Sequence, residues 1–132
     1  MEIVKTDAGH ISGTVRGELD KPVYVYRGIP YAAPPVGDLR WKPPQPVTSW
    51  SGIRECTVYS RIAPQTRQVP ESVNGGMPQS EDCLYLNVTT PAKKPNDKLP
   101  VMVWMHPGGL VFGSSNPKLN NGLRLPSRVL TR

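Results

Sequence analysis

The sequence predicts a strand- and loop-rich chain that opens on a small antiparallel β meander. Further on, it delivers a short apolar strand into a glycine turn. Three observations carry this. Short runs rich in β-branched and aromatic residues alternate with turn residues through the first quarter. The 132 residues include 16 Pro and 12 Gly, about a fifth of the chain, which breaks up long regular elements. An apolar pentad, Val101–Met105, runs directly into His106-Pro107-Gly108-Gly109.

Taken in order, Glu2–Thr6 reads as a first strand, closed by the turn signal Asp7-Ala8-Gly9. His10–Arg16 reads as a second, and Val23-Tyr24-Val25-Tyr26 as a third after the polar break Glu18-Leu19-Asp20. From Gly28 to Trp50 prolines fix φ and remove donors, which excludes helix and central strand. This stretch reads as an extended segment pinned by its own Tyr31, Leu39, Trp41 and Trp50; a polyproline ligand for an aromatic groove is the other reading. Arg54–Gln79 has no period and contains Asn74-Gly75-Gly76, so it reads as a surface loop. Leu84–Thr89 alternates as a strand around Tyr85 and Asn87, and the polar link Pro91–Pro100 suits a hairpin-type connection to Val101–Met105. The tail Leu119–Arg132 has weak helical potential as far as Leu125, where Pro126 interrupts it.

With 37% hydrophobic residues the chain is expected to fold. A net charge of +6 raises nucleic acid as a partner. The basic residues are scattered, however, with no run beyond Lys93–Lys94. After Asp97 the chain carries basic residues and no acidic one, yet only Trp104 and Phe112 interleave with them, so no nucleic-acid site is expected. No apolar stretch is long enough to span a membrane, so no membrane partner is expected either. Met1-Glu2-Ile3-Val4-Lys5 does not read as an export signal, which predicts a cytoplasmic chain with Cys56 and Cys83 as free thiols. The histidines are His10 and His106, and no Cys/His spacing suits a metal; no cofactor is expected.

Four stretches, in order, resemble the type B carboxylesterase and cholinesterase family of α/β-hydrolases. They are Gly28-Ile29-Pro30-Tyr31-Ala32 with Pro34-Pro35-Val36-Gly37 and Leu39-Arg40, then Trp50-Ser51-Gly52-Ile53-Arg54. Ser80-Glu81-Asp82-Cys83-Leu84-Tyr85-Leu86-Asn87-Val88 follows, and then Pro100–His106 with Gly108-Gly109 and Phe112-Gly113-Ser114-Ser115. The resemblance runs from about residue 9 to about residue 122. It implies an α/β class: a small antiparallel sheet, then the first strands of a large mixed sheet, Val101–Met105 among them. Residues 1–132 would then be the N-terminal portion of a single domain, incomplete as it stands, with an atypical tail at 126–132.

The resemblance also implies chemistry. Gly108 and Gly109 would supply N–H donors to an oxyanion hole, a third coming from the residue after the nucleophile. His106 would be a structural residue of the loop and not the general base. Arg40 and Glu81 would form a buried ion pair tying the Pro-rich segment to the Ser80–Val88 stretch, which is similar to a signature of the family. Cys83 matches a disulfide position in secreted relatives, but its partner position is Ala63, in agreement with free thiols. Pro107 stands where a third glycine is usual, and Leu110 where an aromatic or small residue is frequent; the donors expected are the two residues after Pro107.

The implied substrate is a small-molecule carboxylic ester, cleaved through an acyl-serine without a cofactor. No G-x-S-x-G occurs in the chain, and neither an acidic residue after Asp97 nor a histidine after His106 is present to complete a triad. Loss of a whole triad lowers turnover about 2 × 10⁶-fold, so the chain alone is expected to be inactive. It is also expected to be unstable or aggregating, since strands flanking Val101–Met105 are missing. The competing readings are a non-catalytic relative with a binding role and a small basic binding protein.

Overall fold

A computed structural model describes residues 3–66, 76–94 and 96–115. They form two three-stranded sheets. The first contains β1 (Ile3–Lys5), β2 (His10–Ser12) and β5 (Ile53–Glu55), in the order β1-β2-β5. β1 pairs antiparallel with β2, Val4 opposite Ile11, while β2 pairs parallel with β5, Ile11 opposite Arg54. The second contains β3 (Thr14–Glu18), β4 (Lys21–Pro30) and β6 (Tyr85–Thr90), in the order β3-β4-β6 and antiparallel throughout. A single 3₁₀ turn, Gly37–Leu39, is the only helix among the described residues. The architecture is strand- and loop-rich, as an N-terminal portion of an α/β-hydrolase fold requires.

Several elements differ from the sequence reading, each for a physical reason. The expected strand His10–Arg16 is two strands in two sheets, divided at Gly13. A Cβ there would lie 2.6 Å from both Tyr26 Cδ1 and the Val25 carbonyl oxygen. Only glycine lets the chain pass so close to β4 and change sheets. β4 also continues beyond Tyr26 to Pro30, with a bulge between Tyr26 and Ile29. The bulge lets Gly28 and Pro30 end a strand that their residue types argue against. β5 lies partly in the stretch read as loop, because a three-residue parallel pairing leaves no period to detect.

Two expectations are corrected outright. Pro91–Pro100 is not a hairpin connection, and Val101–Met105 is not a strand. Its residues are 88, 71, 80, 59 and 84% exposed in order, so they have neither ladder nor core to hold them. A strand is defined by its neighbours, and no neighbour reaches this segment among the described residues. The tail read as weakly helical lies outside the described residues.

Alternation on β4 explains where the core sits. Tyr24 and Tyr26 face one way and Val23 and Val25 the other, and Val23, Val25 and Tyr26 are all nearly inaccessible. β4 is therefore a central strand buried on both faces. Ile11, Tyr26 and Cys56 form the main cluster, with Tyr24, Ile29 and Trp50 packed around it. Burial of a side chain such as Ile11 contributes roughly 1.5–3 kcal/mol. The Trp50 indole N–H donates to the His10 carbonyl at 2.9 Å, so the ring covers the cluster without stranding its polar atom. Backbone hydrogen bonds join the sheets at Cys56. Its N–H donates to Ser12 and its carbonyl accepts from Arg27, each at 2.8 Å.

Candidate functional site

The glycine turn after residue 107 is built by backbone that few side chains tolerate. Gly108 and Gly109 have φ of +139° and +60°, and Leu110 follows at +62°. The Gly108 carbonyl accepts from the N–H groups of Val111 at 3.0 Å and Phe112 at 3.2 Å, closing the turn. A Cβ on Gly108 would run into the Phe112 carbonyl oxygen, so the residue must be glycine. Open space surrounds Gly109. No acceptor among the described residues engages the N–H of Gly108 or Gly109. Pro107 itself lies outside the left-handed region, which begins one residue later.

His106 is exposed, and its Nδ1 lies 3.0 Å from the Pro107 carbonyl oxygen. Gly113 is buried beneath these residues. A Cβ there would lie 2.6 Å from the Pro107 carbonyl oxygen and 2.9 Å from His106 Nδ1. The turn thus folds back so that its last glycine supports the backbone just ahead of its first.

Two side-chain amides reach this turn from elsewhere. Gly113 N–H donates to Gln65 Oε1 at 2.9 Å, and Gln65 Nε2 donates to the Gly113 carbonyl at 3.1 Å. Asn87 on β6 donates from Nδ2 to Ser115 Oγ at 3.1 Å and accepts from Gly28 N–H at 3.0 Å. Asn87 therefore links the β4 bulge to the end of the turn. Sequence reasoning named neither Gln65 nor the role of Asn87. One signal was available, since Asn87 shares a strand face with Tyr85, opposite Leu86 and Val88.

Arg40 and Glu81 are brought together. The 3₁₀ turn ends with Arg40 N–H on the Gly37 carbonyl at 3.1 Å, and Nη2 reaches Glu81 Oε2 at 2.6 Å. The side chains remain 52% and 42% exposed, so the pair is not the buried one expected. The Glu81 hydrogen bond and charge hold the Arg40 proton more tightly than usual. Next to it, Tyr85 Oη donates to Asp82 Oδ2 at 3.1 Å, and partial burial, with that carboxylate, pushes the phenol up. The Arg54 guanidinium lies 5.4 Å from the Trp50 ring and 6.0 Å from the Tyr85 ring, tying β5 to β6.

Cys56 and Cys83 are free thiols, both pushed up chiefly by burial. Among the described residues no group of three or more His, Cys, Asp or Glu could hold a metal ion, and no helix is long and apolar enough to cross a membrane. Among the described residues no strand leads directly into Ser114 or Ser115, as a nucleophile elbow requires.

Known proteins are similar to this chain in sequence. The chain is 43% identical over 118 residues to phenmedipham hydrolase of Pseudarthrobacter oxydans, covering 86% of this chain and 23% of that protein. It is 39% identical over 128 residues to para-nitrobenzyl esterase of Bacillus subtilis, covering 96% and 25%. Mouse carboxylesterase 1F is 41% identical over 127 residues, covering 86% and 22%. The chain thus spans about a quarter of the length of these relatives. The model of the carboxylesterase family matches residues 1–129, almost the whole chain. With the glycine turn and its flanking segments in the family's order, the chain belongs to the carboxylesterase family.

Proposed function

We propose that this chain supplies the oxyanion-stabilising part of a serine carboxylesterase acting on small-molecule carboxylic esters. The observation that carries the reading is the turn itself. Gly108 and Gly109 present two N–H groups with no protein acceptor among the described residues, on backbone that only glycine at 108 can adopt. Attack of a serine hydroxyl on an ester carbonyl, with its proton passed to a base, leaves negative charge on the former carbonyl oxygen. Fixed N–H donors stabilise that charge more than the neutral ester, and losing one costs about 2.7–4 kcal/mol of barrier. Collapse expels the alcohol and leaves an acyl-serine, which water then hydrolyses.

Gly108 and Gly109 would act in both steps, with His106 as a loop residue and Arg40–Glu81 as a brace between segments. The nucleophile and its partners are not in these 132 residues, so the chain alone is inactive in this reading.

Two measurements test it. The isolated chain should not be labelled by a fluorophosphonate probe. A chimaera in which this chain replaces the matching quarter of the Bacillus subtilis relative should hydrolyse a para-nitrobenzyl ester. A folded chimaera without turnover would sink the reading.

A further inference from the structure

We propose that Gln65 is a positioning residue for ester hydrolysis, locking the glycine turn through Gly113 so that the Gly108 and Gly109 amides keep a fixed place. The inference rests on the esterase reading and assigns a function to a side chain outside the turn.

The Gln65 carboxamide is used on both sides. Oε1 accepts from Gly113 N–H at 2.9 Å, while Nε2 donates to the Gly113 carbonyl at 3.1 Å and to the Ala63 carbonyl at 3.2 Å. The reciprocal pair imitates one rung of a β ladder, and it fixes which way the amide faces. Reversed, it would set oxygen against two carbonyl oxygens and nitrogen against an N–H.

Gln65 is itself anchored. Its backbone N–H donates to Gln79 Oε1 at 2.9 Å, and Ile62, which is buried, bridges Gln79. The Ser80 N–H donates to the Ile62 carbonyl at 2.9 Å, so the segment that leads into β6 holds the base of the clamp.

What the clamp holds matters because of where Gly113 lies. It packs against the Pro107 carbonyl oxygen and the His106 ring, immediately ahead of the two donors. Val101–Met105 gives the turn no ladder on its other side, so anchorage from Gln65 has more to do. A donor that drifts from the oxyanion loses transition-state stabilisation without weakening ground-state binding of the ester.

The test uses the chimaera, with competent sites counted by fluorophosphonate titration so that kcat refers to folded enzyme. Gln65→Met keeps the bulk and removes both hydrogen bonds to Gly113, with the one to Ala63. It should lower kcat about tenfold with KM changed less than about twofold. Gln65→Glu keeps an acceptor for Gly113 N–H but sets an anionic oxygen against the Gly113 and Ala63 carbonyls, so it should lower kcat as well, again with KM held. An unchanged kcat in Gln65→Met, or a loss in KM alone, overturns the proposal while leaving the esterase reading intact. An unsubstituted chimaera that folds without turnover overturns both. If Gln65→Met yields no titratable sites, Gln65→Glu decides: kcat at the unsubstituted level overturns the proposal, and a lowered kcat with KM held supports it.

Discussion

Arg40 Nη2 and Glu81 Oε2 meet at 2.6 Å although both side chains remain about half exposed. An ion pair in that setting is screened by water and salt. Glu81→Gln and Arg40→Met should each lower the melting temperature of this chain only slightly. The remaining difference should vanish in 1 M salt, where the Debye length is about 3 Å. Melting curves at low and high salt check this. A large loss that salt does not touch would count against an exposed, screened pair.

The two glycines of the turn should respond differently to alanine. At Gly108 the new Cβ meets the Phe112 carbonyl oxygen, and at Gly109 it meets nothing. In the chimaera Gly108→Ala should lower kcat by about 10²-fold or more, the scale of a lost oxyanion donor. Gly109→Ala places alanine at φ +60°, a strain of about 1 kcal/mol, and should be much milder. Equal losses at the two positions would count against this turn geometry.

Val101–Met105 is an exposed apolar run of five residues, and it should drive self-association. Val103→Lys should slow aggregation of the isolated chain, followed by light scattering at fixed concentration. The same substitution in the chimaera should prevent folding, because there the relative's sheet would flank the segment. Lysine tolerated in both settings would refute a buried-strand role for this run.

Alkaline pH should destabilise the chain. Burial raises the Cys56 and Cys83 thiols and the Tyr85 phenol above their ordinary values, so the folded state holds these protons more tightly than the unfolded one. Their contribution is complete below the unfolded values, about 8.5 for a thiol and 10 for a phenol. It is lost as pH rises through the folded values. Denaturant midpoints should fall steadily above about pH 8.5. Near neutral pH an alkylating reagent applied without reductant should label Cys83 slowly and Cys56 more slowly still, since Cys56 is fully buried. A midpoint independent of pH across this range would refute the linkage.

The turn was legible because it is local, Gly108 and Gly109 following an apolar run directly. Arg40 and Glu81 were paired through the family resemblance alone, since nothing in their own segments links residues 41 positions apart. Long-range placement was less accessible. The break at Gly13 depends on Tyr26, thirteen residues away, and β5 exists only because β2 offers it an edge. Gln65 sits in a stretch without periodicity, and its importance comes from one amide meeting one peptide 48 positions on. Val101–Met105 misled in the opposite direction. Its composition specifies a buried strand, but pairing needs partners that the described residues do not provide.

The peptide groups flanking Cys56 bond to Ser12 on one side and Arg27 on the other, so neighbouring links of the main chain serve both sheets. Neither sheet can then peel away at that point without disturbing the other. In hydrogen exchange the amides of Cys56 and Arg27 should therefore open together, as one cooperative unit rather than as two independently fraying ribbons.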